Sequence, residues 1–257
     1  MSAARPLILI PHPDDEVVGC AIAIARARAG GAEIAGLYLT TGVPAPERLW
    51  PWRRARYASL VERRREEAEQ AAVALGISPA AFLDWPSRTL KAHLDEAMTT
   101  ISRTLIERRI DEIWTSAWEG GHQDHDVTNF LAARFVGGLP VREFAEYNLA
   151  GGRVRSQAFP QPNGTEDVLT LSAEEARFKA ELLAIYRSER LNLRYVRLQQ
   201  ESLRPLAPYD YRSPPHSGRL FCERFQWVPV RHPSVDFEPS AAVRATLAAW
   251  KGATSVR

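Results

Sequence analysis

The chain has 257 residues, a formal net charge of +2, 45% hydrophobic and 25% charged residues. These values suit one α/β domain with a full core, and they exclude a disordered chain. So small a net charge gives no strong pull toward nucleic acid or anionic lipid.

Cys20 and Cys222 are the only cysteines. Two cysteines make neither a disulfide framework nor a thiolate zinc site, and both are expected as buried inert thiols. Lys91, Lys179 and Lys251 are the only lysines among 33 basic residues. That bias speaks to genome composition more than to function. No charged leader precedes an apolar segment and no apolar run nears 18 residues, so a cytoplasmic protein without a membrane contact is expected.

In chain order, Leu7–Pro11 reads as a first buried strand, and Val17–Ala29 as a helix stopped by Gly30-Gly31. Glu33–Thr40 is a second strand. Trp50–Leu75 has helical periodicity up to Gly76, and Ala81–Trp85 is a short third strand. Leu90–Arg108 is a helix, Asp111–Ser116 a fourth strand, and Val127–Val136 a further helix. This alternation predicts an α/β fold with a Rossmann-like, mostly parallel sheet flanked by helices.

After Gly137-Gly138 the pattern changes. Phe144–Leu171 predicts short strands or hairpins, Ser172 opens a capping box for a helix through Arg187, and Tyr209–Gly218 is a loop. Leu220–Val228 is expected as a late strand and Ser240–Trp250 as a final helix. The whole reads as one domain, with residues 1–137 as the Rossmann-like core and 138–257 as a C-terminal elaboration of short strands and helices.

Two polar clusters follow two of these strands. His12-Pro13-Asp14-Asp15-Glu16 closes the first, and Glu119-Gly120-Gly121-His122-Gln123-Asp124-His125 follows the fourth. In open parallel sheets ligands sit beyond the carboxyl ends of the strands, which puts both clusters at one edge. First-turn acids offset a helix dipole, but that does not account for His12 or for adjacent Asp14 and Asp15. Together the clusters hold what a catalytic zinc site needs: N/O ligands, an open position and a spare carboxylate. His12 and Asp15 bracket a tight turn and can reach one ion, and His125 can complete the set. Asp14 then points elsewhere. His122 is free for proton or charge chemistry, with Asp124 fixing its tautomer.

The two motifs resemble the signatures of the LmbE/PIG-L deacetylases, zinc enzymes that act on N-acetylglucosamine-type amino sugars. Arg64-Arg65-Glu66-Glu67 through Leu75-Gly76, Lys179 through Tyr186-Arg187-Ser188, Pro208-Tyr209-Asp210-Tyr211 and Pro214-Pro215-His216-Ser217-Gly218 extend the resemblance. It implies Zn2+ held by His12, Asp15 and His125, Asp14 as general base, and His122 as a charged imidazole oriented by Asp124. Arg64 would stand on the substrate side. Trp118, beside the second motif, is the candidate sugar platform, and His216 is expected to reach the cleft from the C-terminal loop. Two positions depart from the family: Gly120 stands where some members have Tyr, and Glu189 where Gln is common.

The expected reaction is removal of an N-acetyl group from an N-acetylglucosamine-type sugar or its conjugate, the partner being that small molecule; a homo-oligomer is left open. Within the family the alternative is an amidase cleaving a thiol-sugar conjugate. Outside it stand a metal phosphoesterase, which needs more carboxylates, and a non-catalytic sugar-binding module, against which intact Asp14 and His122 argue. No Gly-x-Gly-x-x-Gly follows the first strand, which disfavours a dinucleotide enzyme.

Overall fold

A computed structural model describes residues 3–230, 232–233 and 235–252. In chain order it contains β1 (Pro6–Ile10), α1 (Asp15–Ala29), β2 (Ala35–Tyr38), α2 (Pro51–Arg54), α3 (Tyr57–Leu75), β3 (Ser78–Phe82), α4 (Leu94–Glu107) and β4 (Glu112–Ser116). There follow α5 (Gln123–Ala132), β5 (Val141–Phe144), β6 (Tyr147–Asn148), β7 (Arg155–Ser156), β8 (Asp167–Thr170), α6 (Ala173–Ile185), β9 (Gln200–Pro205) and α7 (Ser240–Ala249).

Seven strands form one sheet in the order β3-β2-β1-β4-β5-β9-β8. The first five run parallel, and β9 and β8 add antiparallel. β1 lies between β2 and β4 with its whole length buried, which is why it reads as an unbroken apolar run. Its side chains alternate between two cores. Leu7 and Leu9 pack with Met98, Ile101, Phe130 and Leu247 from α4, α5 and α7. Ile8 and Ile10 pack with Ala21, Ala68, Leu75 and Leu182 from α1, α3 and α6.

The expected α/β fold with a mostly parallel, helix-flanked sheet is therefore present, and the boundaries differ for identifiable reasons. The Trp50–Leu75 helix is two helices, α2 and α3, broken at Ala55-Arg56. The third strand lies earlier, at Ser78–Phe82, drawn there by pairing with β2. The Leu90–Arg108 helix is a 3-10 turn, Leu90–Ala92, followed by α4 after a break at His93. α5 starts at Gln123 rather than Val127, because the His122 ring caps it by accepting the Asp124 N–H.

Leu220–Val228 is not a strand. It holds a 3-10 turn at Phe221–Glu223, and the antiparallel place in the sheet belongs to β9. Apolar periodicity misses β9 because its buried residues include charges. Arg204 pairs with Glu143 at 2.7 Å and Glu166 at 2.8 Å, and Glu201 pairs with Lys179 at 2.6 Å. β5 and β9 carry the sheet on past Gly137-Gly138.

One local break positions the site. α1 loses helical geometry at Cys20, where φ is −148°. Lys179 Nζ and Gln157 Nε2 donate to the freed Val18 carbonyl at 2.9 and 2.6 Å. Glu201 accepts the Ile22 and Ala23 N–H groups at 3.0 and 2.9 Å. The helix passes β5 so closely here that a Cβ on Gly19 would lie 2.1 Å from Phe144 Cδ2. The sheet thus grips the helix whose first turn carries Asp15. Cys20 is buried as expected, whereas Cys222 is only half-buried and lies on the wall of a cleft. No helix among the described residues is long and apolar enough to cross a membrane.

Candidate metal centre and active site

The sheet order reverses direction between β1 and β4, and both motifs follow the carboxyl ends of these strands. His12, Asp14, Asp15, Arg64, His122 and Glu189 line a cleft of about 540 Å³ above that edge. Arg88, Arg224, Tyr147, Tyr195 and Phe221 complete much of its wall.

At the cleft floor three donor atoms form a near-equilateral triangle. His12 Nδ1 lies 3.1 Å from His125 Nε2, and Asp15 Oδ2 lies 3.2 Å from each of them. Ligands at tetrahedral angles, each 2.0–2.1 Å from a zinc ion, would stand about 3.3 Å apart. The far sides of both rings face acceptors. His12 Nε2 is 3.0 Å from Asp124 Oδ2, and His125 Nδ1 is 3.3 Å from Glu146 Oε1. With protons on those far nitrogens, two imidazole lone pairs and a carboxylate oxygen converge on one point, an arrangement that needs a cation. Burial alone would lower the His12 pKa, yet Asp15 and Asp124 raise it to about 10. His125 and His12 hold Asp15 well below the usual carboxylate range despite its burial. The donor set therefore fits a divalent ion with a two-histidine, one-carboxylate environment.

Asp14 caps α1 with a φ of 130°, a strained backbone for a residue other than glycine. Its N–H donates to Glu16 Oε2 at 3.2 Å, and Tyr186 Oη donates to the other Glu16 oxygen. The turn thereby lets Asp15 face His12 while Asp14 faces Arg64, whose Nη1 is 3.3 Å from Asp14 Oδ2. Arg64 also lies 3.6 Å from Glu189 Oε1. Burial pushes the Asp14 carboxyl well above its ordinary range, and Arg64 opposes that rise. Of the three consecutive arginines it is Arg64 that turns inward, while Arg63 and Arg65 are exposed.

The second motif sits differently from the sequence expectation. The Asp124 carboxylate serves His12, and it also accepts the Arg88 N–H at 2.6 Å and the Leu90 N–H at 3.3 Å. Its Oδ2 is 3.7 Å from His122 Nδ1. That nitrogen instead accepts the Asp124 N–H at 3.1 Å, so it carries no proton. His122 is held as the neutral ring with its proton on Nε2, and burial together with His12 and His125 lowers its pKa well below 6.5. The expected contact of the Asp124 carboxylate with His122 is thus replaced by one from the Asp124 N–H.

Trp118 and His216 are not on the cleft wall. Trp118 is 3% exposed and packs edge-on against Tyr211 within the core, 4.9 Å between centroids. His216 is 5% exposed, with Nδ1 turned to the Ser217 carbonyl at 2.8 Å. Gly120 has φ +69°, and a Cβ there would meet Leu220 Cδ2 at 2.9 Å. Tyr147, edge-on to His125, and Tyr195 bring phenols to the cleft wall from other segments.

Sequence reading missed Glu146 and Tyr147. They follow β5 directly, so its carboxyl end was the available signal, but the strand went unrecognised behind Gly137-Gly138.

A family model described as PIG-L, GlcNAc-PI de-N-acetylase, matches residues 7–136. No curated protein sequence matches the chain. Among solved structures, a deacetylase of the teicoplanin biosynthesis pathway superposes with a TM-score of 0.63 at 21% identity, covering 80% of this chain and 99% of that one. The N,N'-diacetylchitobiose deacetylase of Pyrococcus horikoshii gives 0.56 at 20% identity, covering 73% and 71%. The 4-carboxy-2-hydroxymuconate hydratase GalB of Pseudomonas putida KT2440 gives 0.54 at 18%, covering 80% and 97%. At such identities these likenesses speak for the fold, and one of them is to a hydratase.

Proposed function

Because the chain belongs to the PIG-L family, GlcNAc-PI de-N-acetylases, we propose that it is a metal-dependent hydrolase that removes the N-acetyl group from an N-acetylglucosamine-type amino sugar or its conjugate. The observation that carries this reading is the triangle of His12 Nδ1, Asp15 Oδ2 and His125 Nε2 beneath a cleft bordered by Asp14 and His122. Two of the structural neighbours are named as deacetylases, one of the teicoplanin biosynthesis pathway and one of N,N'-diacetylchitobiose, which agrees with it.

His12, Asp15 and His125 would hold the ion, and Zn2+ suits two imidazoles and one carboxylate. A divalent ion bound there polarises the acyl carbonyl and acidifies water. Asp14 takes the proton of the attacking water, a role served by a carboxyl whose pKa burial raises and Arg64 restrains. His122 Nε2–H donates to the oxyanion of the tetrahedral intermediate; such preorganised donors are typically worth about 3 kcal/mol. A neutral donor fixed by a helix N-terminus needs no change of charge to act. The Asp14 carboxyl then returns its proton to the departing amine.

Mass-spectrometric profiling of the zinc-loaded protein against a panel of N-acylated amino sugars tests this. Loss of one acetyl unit with free amine formed is the expected result. Release of only larger acyl groups would favour the amidase alternative, and absence of any amide cleavage would defeat the reading.

A further inference from the structure

The reaction as written makes no use of Glu146. This residue lies two positions beyond β5 and is fully buried. Its backbone is pinned on both sides: its N–H donates to Glu119 Oε1 at 2.8 Å, and its carbonyl accepts the Gln157 N–H at 3.0 Å. Neither carboxylate oxygen has a well-aligned hydrogen-bond partner among the described residues. A dry, unsatisfied carboxyl is expensive to keep, so packing alone gives no reason for it. Its Oε1 is 3.3 Å from His125 Nδ1, and that nitrogen is itself buried and lacks a fully aligned partner.

We infer that Glu146 is a positioning residue for the metal centre: its carboxylate accepts a hydrogen bond from the Nδ1–H of His125 and fixes the tautomer whose Nε2 lone pair faces His12 and Asp15. The inference rests on His125 being a metal ligand. It gives the two histidines matching supports. His12 offers Nδ1 inward and Nε2 to Asp124; His125 offers Nε2 inward and Nδ1 to Glu146. A carboxylate behind a ligand imidazole orients the ring and raises its basicity. Asp124 is built into its place by backbone donors, whereas no backbone donor among the described residues reaches the Glu146 oxygens, and His125 Nδ1 stands 3.3 Å from one of them. The rival arrangement is a second cation among Asp15, His125 and Glu146, whose donor atoms lie within 4.8 Å of one another.

The test uses the full chain with Glu146→Gln, which keeps volume and an acceptor oxygen, and Glu146→Leu, which keeps bulk without an acceptor. Zn2+ stoichiometry and Kd are measured by chelator competition, and the melting temperature is taken on the metal-stripped proteins. The expected result is one ion per chain, an affinity about 10–100-fold weaker in the Leu variant and less so in the Gln variant. The metal-free variants should melt at or above wild type, because an unsatisfied carboxyl has been removed. A merely structural Glu146 would lower that melting temperature and leave the affinity alone, which would overturn the inference. So would affinities within twofold of wild type in both variants, or two ions in wild type with one lost on Glu146→Gln. If the Leu variant fails to fold, the Gln variant carries the same comparison. Wild type that binds no ion would instead overturn the ligand reading itself.

Discussion

His12 Nε2 and Asp124 Oδ2 lie 3.0 Å apart across 112 residues of chain, and this contact turns His12 Nδ1 toward Asp15 and His125. Asp124 therefore acts on the candidate metal centre from behind. Asp124→Asn should weaken Zn2+ binding by about 10–100-fold while turnover per bound ion changes less. Chelator competition alongside kcat measured at saturating metal separates the two effects. A large loss of kcat at full occupancy with unchanged affinity would return Asp124 to the role suggested by the sequence, orienting His122.

Asp14 faces Arg64 rather than the donor triangle. Asp14→Asn should keep bound metal near wild-type stoichiometry and cut kcat by about 10²–10⁴-fold, the range lost with a general base. Metal analysis of the purified variant is the control. Loss of the ion would make Asp14 a ligand.

His125 and His122 should separate cleanly. His125→Ala removes a corner of the triangle and should abolish metal binding. His122→Ala should retain the ion and lose about 10²–10³-fold in kcat, as expected for an oxyanion donor. Stoichiometric metal in the first variant, or a metal-free second variant, would contradict this division.

Arg64 restrains the upward shift that burial imposes on Asp14. Arg64→Met lets that carboxyl rise further, and the base must be ionised to act. The acid limb of kcat/KM should therefore move to higher pH, with metal content unchanged. An acid limb that stays in place would mean that Arg64 acts on substrate alone.

Glu119 is buried where Oε1 accepts the Glu146 and Tyr147 N–H groups and Oε2 accepts from Asn148. Burial raises its carboxyl from 4.5 to about 7, although these donors pull it down. A raised folded pKa means that the native state holds the proton more tightly. Its stabilising contribution is full below pH 4.5 and is lost as pH rises through about 7, on the order of 3 kcal/mol in all. Thermal melts of metal-free Glu119→Gln between pH 4.5 and 8 should show a flatter decline than wild type. Parallel curves would show that Glu119 does not titrate in that window.

The strand–helix alternation up to Val136 was legible because β1 and β4 bury apolar residues on both faces, and their polar ends stand out against that background. From there, His12, Asp15 and His125 could be grouped on donor type and strand-end position, and the structure brings their donor atoms together. Trp118 misled for an equally local reason: an aromatic beside a polar motif looks available until Tyr211 and the core cover it. β9 stayed hidden because Glu201 and Arg204 enter the interior only with Lys179, Glu143 and Glu166 to neutralise them.

What the residues alone determined was which donor types stand at the sheet edge, since apolar runs and donor types are local properties that survive in a string of letters. Only folding decided which carboxylate stands behind which imidazole. Asp124 meets His12, and Glu146 meets His125, because the ends of β1, β4 and β5 are neighbours in space. Contacts of 3.0 and 3.3 Å depend on such neighbours, and sequence distance carries no information about them.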